Sequence, residues 1–304
     1  MDRFQAMRLF TRIVELGSFT AAADDQQLPR ATVTHAIKQL EARLKARLLE
    51  RTTRSVRTTL DGEAYYQRCT RLLADLDETE AVFSQSATSP RGVLRAHLQG
   101  TIARHFIIPA LPDFFARYPE IRLELGFGDR PVDLIREGMD CGLRSGPLPD
   151  SSMVARRMTD LVQVTVASAD YLARHGTPQH PDELHTGHRA VNYISLASGR
   201  HESLDFTIDG ENRVYMLPSA VAVNDADAYA AACRAGLGIV QVPRYHVLDD
   251  IRAGRLVEIL GPWRLAPMPV QAVYPAHRQL SPRLRVFVDF LAGVFRQADT
   301  EGRL

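Results

Sequence analysis

No run of eighteen apolar residues occurs in the 304-residue chain, so no helix of it is expected to span a bilayer. The first fifteen residues carry Arg3, Arg8, Arg12 and Glu15 in an amphipathic pattern. They lack the apolar core of a secretory signal, and the chain is expected in the cytoplasm. Cysteine is scarce. Cys69, Cys141 and Cys233 are odd in number, far apart and form no CxxC pair, which argues against a disulfide framework and a structural zinc site. Low-complexity tracts and repeats are missing, and 45% hydrophobic with 24% charged residues is ordinary globular composition, which excludes disordered and collagen-like chains. The length suits about two domains.

Enzyme signatures are missing as well. There is no GxSxG elbow, P-loop or HExxH, and Gly236-Leu237-Gly238 lacks the third glycine of a dinucleotide fingerprint. No cofactor and no metal are expected. His175, His180, His185 and His188 cluster loosely in a loop, where a solvated polar segment competes with a metal site.

Charge is present but uneven. The net charge of +1 conceals 11 Lys+Arg against 6 Asp+Glu in residues 1–60, then 2 against 6 in residues 61–88. The chain's two lysines, Lys38 and Lys45, both lie in the first block. A basic block at one end is an electrostatic footprint for nucleic acid, although a solvated face gives the same count.

That block has helical periodicity. Phe4, Met7, Phe10, Ile13 and Val14 share one face, and Gly17 ends the helix. Ser18 or Thr20 can cap a short helix from Ala21 to about Asp25. A third helix is expected from Arg30 to Leu48, burying Val33, Ile37, Leu40, Leu44 and Leu48, with Arg30, Thr34, His35 and Lys38 on another face. The β-branched, basic run from Arg51 to Thr59 suits a two-stranded wing. A short helix, a tight turn, a longer helix with a basic polar face and a wing make a winged helix-turn-helix, because the major groove admits one α-helix between phosphate walls.

A long helix is expected from Leu60 to about Ser86. Tyr65, Cys69, Leu72, Leu76, Thr79 and Phe83 alternate at spacings of 4 and 3, a heptad seam that asks for a partner helix. Packing within its own domain is the alternative. Ser89-Pro90-Arg91-Gly92 then breaks the helix as a hinge. Beyond it, strand-like runs at 93–98, 121–127, 141–144, 161–167, 190–194, 205–208, 214–217, 238–242 and 270–274 alternate with helical ones at 102–118, 132–137, 226–235 and 282–296. This predicts an α/β domain with largely parallel sheets, long enough for two lobes and a cleft.

With these residues in view, the whole chain resembles the LysR-type transcriptional regulators. The stretch from Phe10 to Ala23 (FTRIVELGSFTAAA) resembles the family's opening helices, and Arg30 to Glu41 (RATVTHAIKQLE) its recognition helix. Leu48 to Thr52 (LLERT) resembles the entry to its wing, and Leu60 to Glu63 (LDGE) the start of its linker helix. Asp133 to Asp140 (DLIREGMD), Ala235 to Ile239 (AGLGI) and Leu280 to Arg283 (LSPR) resemble its effector domain. Four positions depart: Gln26, Gln27 and Pro29 stand where the family usually has Leu, Gly and Ser, and Lys45 replaces a common Gly. Pro29 suits a helix start but forfeits a side-chain cap, worth about 1 kcal/mol, and Gln26 implies a looser or locally rearranged turn.

The resemblance implies an α/β protein with an all-α winged helix-turn-helix at residues 1–60, a linker helix at 61–88 and a hinge at 89–92. An effector-binding domain would follow at 93–304, with two Rossmann-like, periplasmic-binding-protein-like lobes at 93–162 plus 268–304 and at 163–267. It implies a homodimer or dimer of dimers paired through Tyr65, Leu72, Leu76 and Phe83, bound to double-stranded promoter DNA and modulated by a small molecule. Asn192-Tyr193-Ile194-Ser195 with Ser198-Gly199-Arg200 resembles a subgroup linked to aromatic acids and quinone-like compounds.

For DNA, Arg30, Thr34 and His35 are placed to reach base edges, while Thr32, Lys38 and Thr52 hold phosphate. Arg54 and Ser55 at the wing tip suit the minor groove. For the effector, strand ends and helix starts supply Gly100, Thr101, Arg144, Ser145 and Gly146 from one lobe and Ser195 and Asn224 from the other. This set favours an anion, with Arg144 either neutralising it or pairing within its lobe, and with Asp225 and Asp227 capping the following helix. Two rival readings are a ligand-independent architectural DNA binder and an enzyme using the α/β domain.

Overall fold

A computed structural model describes residues 1–51, 56–83, 90–130, 132–148, 153–196, 198–275 and 281–304. The chain divides into two compact units, Met1–Ser89 and Pro90–Leu304.

In the first unit, α1 (Arg3–Leu16) opens with a capping box: Asp2 accepts from the Gln5 amide at 2.8 Å while the Gln5 side chain reaches back to the Asp2 amide. Ser18 caps α2 (Phe19–Asp25), which starts two residues before the expected Ala21. The recognition helix, α3 (Arg30–Leu44), begins at Pro29 without a side-chain cap. It stops short of Leu48 because Lys45 turns left-handed at φ 53°. Val33, Ile37 and Leu40 are buried as expected, but Leu44 is exposed and Leu48 reaches the core from outside the helix.

The turn between α2 and α3 is organised by polar groups rather than loosened. Arg12 grips Asp25 with a fork of 2.7 and 2.5 Å and holds its carboxyl down at about 2; the Gln26 amide donates to the same carboxylate at 2.8 Å. Gln27, where the family has Gly, keeps the positive φ of 52°.

The wing strands β1 (Leu49–Arg51) and β2 (Val56–Thr58) are antiparallel. Glu41 anchors their base by accepting from the Leu48 and Leu49 amides at 2.8 and 3.2 Å. The long helix α4 (Leu60–Phe83) starts at Thr59, whose hydroxyl accepts from the Gly62 amide and donates to the Arg47 carbonyl. A Cβ on Gly62 would lie 1.9 Å from the Leu48 carbonyl oxygen, so only glycine fits there. Phe10, Ile13, Val33, Ile37, Leu40, Leu48, Cys69 and Leu73 form one buried cluster, with Tyr65 against Phe10 at a ring distance of 5.4 Å. Truncating Phe10 to Ala would cost about 3–5 kcal/mol.

The second unit runs β3 (Gly92–Leu98), α5 (Gly100–Ile102), a π-helical turn (Ala103–Ile107), α6 (Ile108–Arg117), β4 (Ile121–Phe127), β5 (Cys141–Ser145) and β6 (Met153–Leu161). It continues with β7 (Gln163–Ser168), α7 (Ala169–His175), β8 (Asn192–Ile194), β9 (His201–Glu202), β10 (Leu204–Ile208), β11 (Glu211–Tyr215), β12 (Ala222–Val223) and α8 (Ala226–Arg234). It closes with β13 (Val240–Pro243), α9 (Leu248–Arg252), β14 (Leu256–Ile259), β15 (Met268–Pro275) and α10 (Pro282–Thr300).

Among the described residues the first lobe is the sheet β4-β3-β5-β15-β6, and the second holds the sheets β13-β7-β14 and β12-β8-β9 with the hairpin β10-β11. The sheets are mixed, not largely parallel. β3 is parallel to β4 and β5, but β15 returns from the second lobe running opposite to β5 and β6, and β7 is antiparallel to both neighbours. The helix expected at 132–137 is a turn instead, because Asp133 accepts from the Ile135 and Arg136 amides at 3.1 Å each. The first lobe buries Leu98, Phe106, Phe114, Phe287 and Phe295, and Tyr245 joins that core although it follows β13 of the second lobe.

Candidate DNA interface and effector cleft

On α3, Arg30, Ala31, Thr34, His35 and Lys38 line one open concavity on the helix face opposite the core. Thr32 is exposed beside them. His35 and Gln39 are joined ring nitrogen to side-chain amide at 2.9 Å, so Gln39 is a member of this face that the spacing alone did not single out. Thr52, Arg54 and Ser55 lie outside the described residues, as does Ser89 of the expected hinge. Along α4, the first two residues of the expected pairing seam pack within the head instead, and the Phe83 side chain lies outside the described set. Cys69 is buried in the unit's own core and Tyr65 packs on it, whereas Leu72 is 50% exposed.

In the second unit, the ends of β4, β3 and β5 lie side by side, and α5 follows directly on β3. Arg144, near the end of β5, turns inward. Its Nη1 donates to the His97 and Leu143 carbonyls and to His97 Nδ1, each at 3.1 Å. That contact makes Nδ1 the acceptor and leaves the His97 proton on Nε2. Burial and the neighbouring guanidinium both push the His97 pKa down. Arg144 Nη2 is buried and has no hydrogen-bond partner among the described residues, and neither has Gln99 Oε1 just after β3. No carboxylate lies within ion-pair distance of Arg144 among the described residues, so the intralobe ion pair considered for it is not formed. Burial lowers its pKa, the mark of a cation held away from water.

Thr101 is buried, and its hydroxyl bonds the Tyr245 hydroxyl at 2.9 Å. Gly146 is buried at the end of β5, and Ser145 pairs with Val270 of β15 through the backbone. On the other side, Ser195 closes a turn with Gly199 and Arg200, and its hydroxyl bonds Glu202. Asn224 is exposed, and its carbonyl lies 3.5 Å from the Tyr193 hydroxyl.

Two connections between the lobes were not legible in the sequence. Tyr193 of β8 donates toward Asp129, which follows β4, at 3.4 Å. Asp225 caps α8 as expected, accepting from the Ala228 amide at 2.8 Å. Asp227 does not cap; it pairs with Arg104 of the π-helical turn and accepts from His246 Nε2 at 3.0 Å. Tyr193 and Tyr229 meet edge to face at 5.5 Å, giving this side aromatic walls.

The loop histidines have separate structural contacts. His180 caps a 3-10 turn, His185 packs against Tyr215, His175 stacks on Tyr171, and His188 is buried beside it. Among the described residues no group of three metal-ligating side chains converges, and no helix is long and apolar enough to cross a membrane.

Residues 4–63 match the model of the bacterial regulatory helix-turn-helix protein, lysR family, and residues 87–296 match the LysR substrate binding domain. An uncharacterized HTH-type transcriptional regulator of Escherichia coli, YhjC, is 42% identical over 299 residues, 98% of this chain and 99% of that protein. An HTH-type transcriptional repressor of Pseudomonas aeruginosa is 39% identical over 98% of this chain and 93% of that protein. The structure of CrgA, a LysR-type transcriptional regulator from Neisseria meningitidis, aligns with a TM-score of 0.61 at 32% identity, covering 96% of this chain and 98% of that one.

Proposed function

The chain belongs to the LysR family of DNA-binding transcriptional regulators, with an effector-binding domain and no enzymatic role, and from that premise we propose how its two sites act. The effector is a small anion held between the lobes, its negative group against Arg144. The observation that carries this is the buried Arg144 Nη2 without a partner. A buried guanidinium nitrogen left without an acceptor is costly, and a ligand anion supplies the missing acceptor. In this reading Gly100, Thr101, Ser145 and Gly146 form the Arg144 end of the site, and Ser195 and Asn224 belong to its second-lobe side. Tyr193 and Tyr229 support the resemblance to regulators that respond to aromatic acids and quinone-like compounds.

On DNA, Arg30, Thr34 and His35 read base edges in the major groove, while Thr32, Lys38 and Thr52 hold phosphates and Arg54 and Ser55 enter the minor groove. Two copies pair along α4 through Leu72, Leu76 and Phe83 to present two heads, as a dimer or a dimer of dimers. A ligand shifts promoter affinity only by its differential affinity for two arrangements of the assembly, typically worth about 1–3 kcal/mol. The test is to sequence the DNA bound in the host, then titrate metabolites of the neighbouring genes against the wild type and Arg144→Gln. An effector that carries no negative charge, or one that Arg144→Gln binds as well as wild type, would overturn the anion assignment.

A further inference from the structure

Hydrogen-bonding capacity in the cleft is unbalanced in opposite senses at two places. Around Arg144 a donor, Nη2, has no acceptor among the described residues. Beyond β3, on the β4 side, the shortage is reversed. The Tyr193 hydroxyl has one proton, yet two acceptors compete for it at the outer limit of reach: Asp129 Oδ2 at 3.4 Å and the Asn224 carbonyl at 3.5 Å. Asp129 has no cation within ion-pair distance among the described residues, and Arg104, His246 and Arg144 act on it only from farther off. The strand order β4-β3-β5 puts the two places two strand spacings apart, about 10 Å at the backbone. His97 fills the ground between them, with its ring over Gly126 and Gly128 and its Nδ1 on Arg144.

From this juxtaposition we infer that the effector is a two-ended molecule, a carboxylate at Arg144 and a hydrogen-bond donor, hydroxyl or ammonium, at Asp129. The inference rests on the anion assignment above and adds the chemistry of the far end. Asp129 is partly buried, and burial together with Asp225 across the cleft pushes its carboxyl up. Drawing the lobes together brings those like charges closer, and a donor placed between them offsets that repulsion. A site built around an acceptor whose one donor sits at the limit of reach discriminates against a ligand that lacks a donor of its own.

The probes are matched trios on pentanoate, cyclohexanecarboxylate and benzoate, each bearing hydrogen, hydroxyl or aminomethyl at the far end. Binding is measured on the full chain by calorimetry. In at least one trio a donor-bearing member should bind at least about tenfold tighter than its parent. Asp129→Asn should bring the two within about twofold, and Tyr193→Phe, which leaves Asp129 in place, should keep the preference. Hydroxyl and aminomethyl arms separate a neutral donor from a cation. Should Asp129→Asn melt early, Asp129→Ser takes its place. Parents binding as well as their derivatives, or a preference unchanged in Asp129→Asn, overturns the inference while loss of binding in Arg144→Gln leaves the anion assignment standing. Binding that Arg144→Gln retains sinks the anion assignment instead, and silence from all three trios sinks both.

Discussion

Thr101 and Tyr245 are 144 residues apart in the chain and share one buried hydrogen bond of 2.9 Å. Thr101 opens the helical segment after β3 in the first lobe. Tyr245 leaves the second lobe after β13 and buries its ring against Phe106 in the core of the first. The bond therefore joins the expected effector site to the crossing between lobes. Thr101→Val keeps the size and strands the Tyr245 hydroxyl, at a cost of about 1–3 kcal/mol. Combining it with Tyr245→Phe should recover part of that loss. The effector response measured by operator affinity should be blunted in both variants, with affinity in the absence of effector nearly unchanged. A strictly additive double mutant would mean that the hydroxyls do not interact.

His35→Ala and Arg30→Ala should each weaken binding to the cognate operator by about 1–3 kcal/mol and spare most non-specific affinity. Lys38→Ala should weaken both alike and flatten the salt dependence by about one unit. Titrations at several salt concentrations on operator and random DNA separate the two. Equal losses on both for His35→Ala would remove it from base readout.

Leu72 and Leu73 are neighbours on α4 with opposite surroundings, 50% against 8% exposed. Leu72→Asp with Leu76→Asp should leave the head folded but dissociate the pair and abolish cooperative binding to a two-half-site operator. Leu73→Asp should unfold the head. Sedimentation and circular dichroism distinguish the outcomes. A dimer that survives the double substitution places the pairing surface elsewhere.

Gln27 and Lys45 are held at φ values of 52° and 53°, conformations that Cβ opposes. Replacing either with Gly should stabilise the head by about 0.5–1 kcal/mol, read from the urea midpoint. No gain at either site would mean that side-chain contacts offset the strain.

His97, His105, His188 and His246 all have pKa values lowered by burial, even though Asp227 works in the other direction on His246. Groups that stay neutral in the fold but charge near 6.5 when unfolded bind more protons in the unfolded state. Stability of the effector domain is therefore full above that value and falls as the pH drops from about 6.5 toward the folded pKa values. Melting temperatures from pH 8 to 5 should show this decline. A flat profile would show that the four rings take up protons in the fold as readily as in the open chain.

The parts of the fold governed by local pattern were legible. The stripe Val33, Ile37 and Leu40 is the buried face of α3, and β4 occupies the residues that alternation assigned. The strand β6 was not foreseen, because most of its residues from Met153 to Leu161 are not buried, and Arg156 and Arg157 mask any alternation. The length of α3 was overestimated because nothing in a lysine announces a left-handed turn. Thr101 and Arg144 were read correctly as polar groups at strand ends. Their partners were not: Tyr245 reaches Thr101 from 144 residues along the chain, and His97 meets Arg144 from the neighbouring strand. Asp227 looked like a second cap because it sits one residue inside a helix start; tertiary pairing with Arg104 and His246 overrode that local role.

Gly62 sits at the point where the long helix leaves the head, with the Leu48 carbonyl where a side chain would begin. The helix is thus a lever whose fulcrum is a missing methyl group. One added carbon must push the first turn of α4 away from the base of the wing, and over a 24-residue helix a small tilt at one end becomes a large displacement at the other. In a dimer paired along that lever, the distance between two recognition helices, and so the half-site spacing that the pair can straddle, is set at this contact.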